Sequence, residues 1–247
     1  MSKLIDIEAC KEFMHETLDK IDKKDLIEIA SQLEGKSNFF IKHLSNTHIS
    51  SLTESELREI FKMIFVTKRK SKLLFEKYSF EDYKNGITSL LYDNKEVEFR
   101  FQRFMESFKE LDEFLRYDIA GEILHYTNPD KYWLWCRWLW DPKANTGALL
   151  LVTNEEFNMA AETYGQMYMN VGKAVAFVHS MAESAEFQFI NRSLFGTDVY
   201  LSCVYVIYAY TVLKIKMTDE FNKVMPSLSE FSSRILGIHS SNEVTVV

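Results

Sequence analysis

The chain predicts an all-α fold, and three observations carry that prediction. Glycine and proline are scarce, with 8 and 3 in 247 residues, against an average usage of roughly 7% and 5%. A sheet-rich chain of this length needs many tight turns, which draw on Gly, Pro and Asn-Gly pairs; Asn85-Gly86 is the only such pair. Apolar residues also recur at helical spacing in segment after segment, behind recognisable N-caps. The expectation is one multi-helix, bundle-like domain over residues 1–247 with a peripheral N-terminal helical hairpin.

Leu4, Ile7, Cys10, Met14, Leu18 and Ile21 mark the first helix. Leu26, Ile29, Ala30 and Leu33 mark a second, which is expected to stop near Gly35. The stretch 45–55 is either a sub-boundary or an ordinary short loop. Thr53-Glu-Ser-Glu56 is a capping box, in which the threonine caps a free N–H and the glutamate reaches back; Leu57, Ile60, Phe61 and Ile64 form the stripe behind it. Ser79-Phe-Glu-Asp82 opens another helix. Val97, Phe101, Phe104, Met105, Phe108 and Leu111 form the clearest amphipathic helix, and a further one runs from about Glu110 to Tyr126.

Asn128-Pro129 stops that helix and predicts a new one to Trp140 with proline at its first position; Asp141-Pro142 repeats the device. Thr153-Asn-Glu-Glu156 predicts a cap for a helix running toward His179, and Ser227-Leu-Ser-Glu230 caps the last one. Between them Asp198 starts the most apolar run, Val199–Leu213. It is shorter than the about 20 residues of a membrane span and holds Tyr200, Tyr205, Tyr208 and Tyr210, so a buried central helix is expected.

A formal charge of −7 speaks against general nucleic-acid binding, which needs many cations to replace phosphate counterions. Lys68-Arg-Lys-Ser-Lys72 is the local exception, read as a solvated helix face or linker. Cys10, Cys136 and Cys203 are odd in number and widely spaced, which predicts buried free thiols rather than disulfides or a zinc knuckle. The first residues lack the charged and apolar regions of a secretory signal, and the expectation is a cytoplasmic protein.

Two Glu-x-x-His pairs, Glu12/His15 and Glu122/His125, place both side chains on one helix face, as in di-iron carboxylate bundles. The first pair begins too early in the chain for the usual order of ligands. Iron or manganese at these four residues is therefore a minor reading, beside His125 as a hydrogen-bonded histidine at the Asn128-Pro129 turn. No nucleophile elbow or phosphate-cradling loop is present in the sequence.

All four tryptophans, Trp133, Trp135, Trp138 and Trp140, fall in one bounded segment. Three readings stand open for it: a core helix, a partner-binding surface using Trp and Arg as hot-spot residues, or an aromatic pocket. In the last two, His125, Tyr126, Tyr132, Trp133, Arg137 and Trp140 are the candidate contacts, with Arg137 able to stack on an indole or hold an anion.

Ala120-Gly-Glu-Ile-Leu-His-Tyr-Thr-Asn-Pro-Asp-Lys-Tyr132, continued by Arg137-Trp138, Trp140-Asp141 and Ala144-Asn-Thr-Gly147, resembles a helical accessory protein associated with bacterial heterodisulfide-reductase-like sulfur-oxidation systems. Asp198-Val-Tyr-Leu-Ser-Cys-Val-Tyr205, Met217-Thr-Asp-Glu-Phe221 and Arg234-Ile-Leu-Gly-Ile238 extend the likeness to about a third of the chain. The resemblance implies a protein working beside iron–sulfur and flavin subunits and carries over no catalytic residues. This chain lacks the clustered cysteines that hold iron–sulfur clusters, and its Trp-Leu-Trp-Cys stretch departs from the family's less aromatic one.

The resulting expectation is a non-catalytic accessory or interaction protein without a cofactor, with a protein partner or self-association and no membrane contact. The alternatives are a metal-dependent helical oxidase or hydrolase using the Glu-x-x-His pairs, and a nucleic-acid-associated protein using residues 68–72.

Overall fold

Ten α-helices and no strands make up the regular structure among the residues described by the computed structural model, which are 5–183, 193–216 and 226–238. They are α1 (Ile7–Lys20), α2 (Lys23–Leu44), α3 (Glu54–Met63), α4 (Ser71–Lys77), α5 (Phe80–Tyr92), α6 (Val97–Ser107), α7 (Glu113–Thr127), α8 (Tyr164–Glu183), α9 (Gly196–Lys216) and α10 (Leu228–Ile235). Short 3-10 turns occupy Ile49–Ser51 and Ala148–Leu151.

The short-range caps form as their sequences dictate. Thr53 with Glu56 and Ser79 with Asp82 make complete capping boxes, and the Ser227 hydroxyl accepts from the Glu230 N–H. One apolar core then joins elements from Ile5 to Ile238. At its centre α7 packs against α2, α5 and α6, while α9 receives α1, α2, α8 and α10. Helix α7 is buried from Tyr117 to Thr127, so over that length even its polar side chains face the interior. Helix α9 is largely buried from Val199 to Ile207, as its apolar run predicts, while Tyr208 and Thr211 are exposed; among the described residues no helix is long and apolar enough to cross a membrane.

Four boundaries and placements differ from the sequence expectation. Helix α2 continues through Gly35 to Leu44, because burial of Phe40 and Leu44 outweighs the roughly 0.5–1 kcal/mol that a helical glycine costs. Since α2 also packs along α7, the N-terminal hairpin is peripheral on its α1 side only. The expected helix from Pro129 to Trp140 does not form, and residues 128–163 are irregular apart from one 3-10 turn. Thr153 caps no helix; its hydroxyl donates to the Leu149 carbonyl, and α8 starts at Tyr164, where Gln102 Oε1 accepts the N–H groups of Tyr164 and Gly165.

The tryptophan segment is core despite being irregular. Trp135, Trp138 and Trp140 are buried and Trp133 is partly so. Trp135 stacks on Tyr117 at 4.7 Å and on Phe101 at 5.4 Å, and its indole N–H donates to the Trp140 carbonyl. Gly121 makes this docking possible. A Cβ there would lie 2.0 Å from the Trp135 carbonyl oxygen, so the loop backbone rests directly on α7. A helix would have spread the four indoles around its circumference; the irregular path turns three of them inward. All three cysteines are free and buried, and burial pushes the Cys10 and Cys203 thiols up to about 11.

Candidate functional site

Helix α7 carries three buried titratable side chains on one face, Asp118, Glu122 and His125, at the i, i+4 and i+7 positions that align on a helix. Each meets a partner from elsewhere in the chain. Lys36 Nζ, from α2, donates to Glu122 Oε2 at 2.6 Å and to the Leu236 carbonyl at 2.7 Å, and lies 4.1 Å above the Tyr126 ring. Glu122 also accepts from the Phe65 N–H. His125 donates from Nδ1 to the Tyr132 carbonyl at 2.7 Å and from Nε2 to Asp198 Oδ2 at 3.0 Å. Asp118 Oδ1 accepts from the Arg137 N–H at 2.7 Å.

The charge states follow from these contacts. Burial pulls the Lys36 ammonium down while Glu122 opposes it, and burial raises Glu122 while Lys36 and His125 oppose it. Burial also disfavours the His125 cation, yet the Asp198 carboxylate and the two hydrogen bonds overcome this and raise it above its usual value. Two acceptors on the two ring nitrogens suit the protonated imidazolium. Asp118 is raised well above its ordinary value by burial and by Glu122, against the opposing hydrogen bond from the Arg137 N–H. Within the cluster Lys36 faces Glu122, His125 faces Asp198, and Asp118 accepts from backbone.

The candidate metal residues separate into two groups. Glu12 and His15 lie on the exposed face of α1, whereas Glu122 and His125 are buried in α7 and engaged by Lys36 and Asp198. The four do not come together into one ligand cluster among the described residues. His125 is a hydrogen-bonded core histidine, and Tyr126 packs between Phe40 and Phe195. Tyr132 is buried and its hydroxyl accepts from Arg100 Nη2 at 2.6 Å. Trp133 lies beside His179, and Trp140 stacks behind Trp135. Arg137 is exposed and sits over the Phe114 ring at 4.8 Å. Of these residues His125, Tyr126, Tyr132 and Trp140 are buried, Trp133 is partly buried and Arg137 is exposed. His179 bonds Thr197.

The surface feature built on this cluster includes the basic run 68–72, which the sequence offered only as a nucleic-acid alternative. A cavity of about 550 Å³ lies between the turn after α3 and the end of α10, lined by Phe65, Lys68, Arg69, Lys70, Glu230 and Arg234, with Gly237 at its edge. Its walls are held from below. Phe65 N–H is bound by Glu122, and the Leu236 carbonyl is bound by Lys36. Gly237 adopts φ +72°, and Ile238 N–H closes on the Ser233 carbonyl while Gly237 N–H closes on that of Arg234. This is the glycine-dependent ending that satisfies a helix's last carbonyls. A Cβ at residue 237 would strike the Met63 carbonyl at 1.9 Å, so only glycine fits.

Four cationic residues and one carboxylate line the cavity of a chain whose formal charge is −7. Arg234 is paired with Glu230, Lys70 lies over Phe114, and Phe65 is 45% exposed. The basic run 68–72 is thus neither a plain linker nor one helix face; a turn folds its first three residues onto the groove before α4 begins. Compared with protein-family models, curated proteins and solved structures, the chain has no match in any of the three.

Proposed function

We propose that the protein is a cytoplasmic, non-catalytic accessory or interaction protein that docks an acidic segment of a protein partner in the groove of Phe65, Lys68, Arg69, Lys70 and Arg234. The observation that carries this reading is the exposed aromatic ring inside a cationic rim on an acidic chain. An apolar anchor surrounded by charges is the usual anatomy of a binding hot spot, and the opposite net charge of the remaining surface favours one approach direction. The buried cluster supports the same reading. Lys36 and Glu122 are spent on each other and on the Leu236 carbonyl and Phe65 N–H beside the groove, while His125 and Asp118 are engaged by Asp198 and the Arg137 N–H. The resemblance to heterodisulfide-reductase-like accessory proteins directs the search for the partner to a redox complex of that kind.

The test is purification of the full chain from native extract beside the double variant Lys68→Glu/Arg69→Glu, with a photo-crosslinking residue placed at position 65. The expected result is a stoichiometric partner joined at position 65 through an acid-rich peptide, and its loss in the double variant. A partner retained by the variant, or no partner at all, overturns the assignment of this face. Crosslinking to nucleic acid with steep salt dependence would favour the nucleic-acid alternative instead.

A further inference from the structure

A second constellation lies at the other end of α3, and none of its residues lines the groove. His43 stands in the last turn of α2, His48 in the loop that follows, and Glu56 in the first turn of α3. His43 Nδ1 lies 3.2 Å and His48 Nε2 3.3 Å from the same oxygen, Glu56 Oε1. All three atoms are within 4.8 Å of one another. We propose that these three atoms form a site for a divalent cation of the zinc class.

The geometry supplies the argument. Zinc bound to imidazole nitrogen and carboxylate oxygen at about 2.0–2.1 Å in a tetrahedron sets its ligand atoms about 3.3 Å apart. Two of the three edges already have that length. The third closes by rotation of His48, whose ring sits on a short loop and is partly exposed. The Glu56 carboxylate is held for the purpose, since its other oxygen, Oε2, accepts from both the N–H and the hydroxyl of Thr53 at 2.8 Å. A ligating group fixed by such outer hydrogen bonds is what a metal site requires.

Chemistry selects the cation. Two imidazoles and one carboxylate suit zinc and its neighbours, whereas calcium and magnesium prefer all-oxygen sets. The His43 side is buried and the His48–Glu56 side is partly open, which leaves a fourth position for water or a further ligand. Bound metal would tie α2 to α3 across the 45–53 loop. Each imidazole binds through the nitrogen now facing Glu56, its proton moving to the other ring nitrogen.

The test uses the full chain freed of metal with a chelator and titrated with cobalt(II), then with zinc. Wild type is expected to bind one equivalent, show the intense visible absorption of four-coordinate cobalt, and lose it to zinc. Zinc at about a hundredfold excess over its dissociation constant should raise the unfolding midpoint by about 5–10 °C. His48→Ala and Glu56→Gln should each abolish the stoichiometric binding; glutamine at this helix position still completes a capping box, so the second variant keeps its fold. The double variant Glu12→Gln/His15→Gln should bind as wild type does. Absence of the cobalt spectrum in wild type, or its persistence in His48→Ala and Glu56→Gln, overturns the proposal.

Discussion

The two Glu-x-x-His pairs have the same spacing and opposite fates. On α1, Glu12 and His15 face solvent beside the stripe of Cys10, Met14 and Thr17 that faces inward. On α7, Glu122 and His125 are enclosed, and each has acquired a partner of opposite charge from a distant helix. What differs is the helix beneath them. An amphipathic helix can leave such a pair in water at no cost, while a helix buried all round must neutralise it. Burying a charge is expensive unless it is paired and hydrogen-bonded, so the α7 pair commits α2, α9 and the loop after α7 to fixed positions.

The largest effect that can break this comparison comes from removing one partner of a buried pair. Glu122→Gln leaves the Lys36 ammonium without its counter-charge and is expected to cost about 3–5 kcal/mol in denaturant unfolding. The matching change on α1, Glu12→Gln, should fall within about 0.5 kcal/mol of wild type. Replacing both partners together, Lys36→Met with Glu122→Leu, should recover much of the loss, because matched apolar groups remove both desolvation penalties. Equal effects of Glu122→Gln and Glu12→Gln would show that α7 admits water.

A somewhat smaller effect is expected where the loop backbone meets α7. Gly121→Ala drives a methyl group into the Trp135 carbonyl, and backbone cannot move aside as a side-chain tip can. A loss of about 1–3 kcal/mol is expected, as for overpacked cores. It should come with altered tryptophan fluorescence, because Trp135 stacks at that point. Unchanged stability and unchanged fluorescence would mean that the tryptophan segment is not seated on α7.

Short-range interactions made part of this fold legible in the sequence. Thr53 with Glu56, Ser79 with Asp82 and Ser227 with Glu230 each need only three residues of separation, and all three caps are formed. The spacing of Glu122 and His125 pointed to one helix face, and His125 is the hydrogen-bonded histidine that its place beside the Asn128-Pro129 turn suggested. Their true partners, Lys36 and Asp198, lie 86 and 73 residues away, and nothing local distinguishes Lys36 from the chain's other lysines. The tryptophan segment misled for a related reason. Asn128-Pro129 has the look of a helix start, yet tertiary docking at Gly121 outweighs local propensity. His43-Leu-Ser-Asn-Thr-His48 read only as loop composition, because the third member, Glu56, was already accounted for as a cap.

The pH dependence of stability sharpens the contrast between the pairs without any substitution on α1. His125 is raised above its ordinary value by Asp198 and its hydrogen bonds, against the opposing effect of burial. The folded state therefore holds this proton more tightly than the unfolded one. Its contribution is complete below the unfolded value of about 6.5 and is lost as pH rises through the folded value. The stability difference between wild type and His125→Gln, followed by urea unfolding across this range, should shrink as pH rises. A difference that stays flat or grows would mean that His125 is neutral in the folded protein, with Asp198 accepting from an uncharged ring.

The smallest effect has the opposite sign and probes the outer face of α2. Gly35 is exposed inside the helix, and a Cβ there meets nothing within 4 Å. Alanine at that position reduces the freedom of the unfolded chain and meets no clash. Gly35→Ala should therefore stabilise by about 0.5–1 kcal/mol, where the same change at Gly121 destabilises. Chemical denaturation at two protein concentrations checks both the sign and its independence of association. If Gly35→Ala instead weakens the protein, and does so more strongly at high concentration, then a second copy approaches α2 at this glycine and the hairpin face is itself a contact surface.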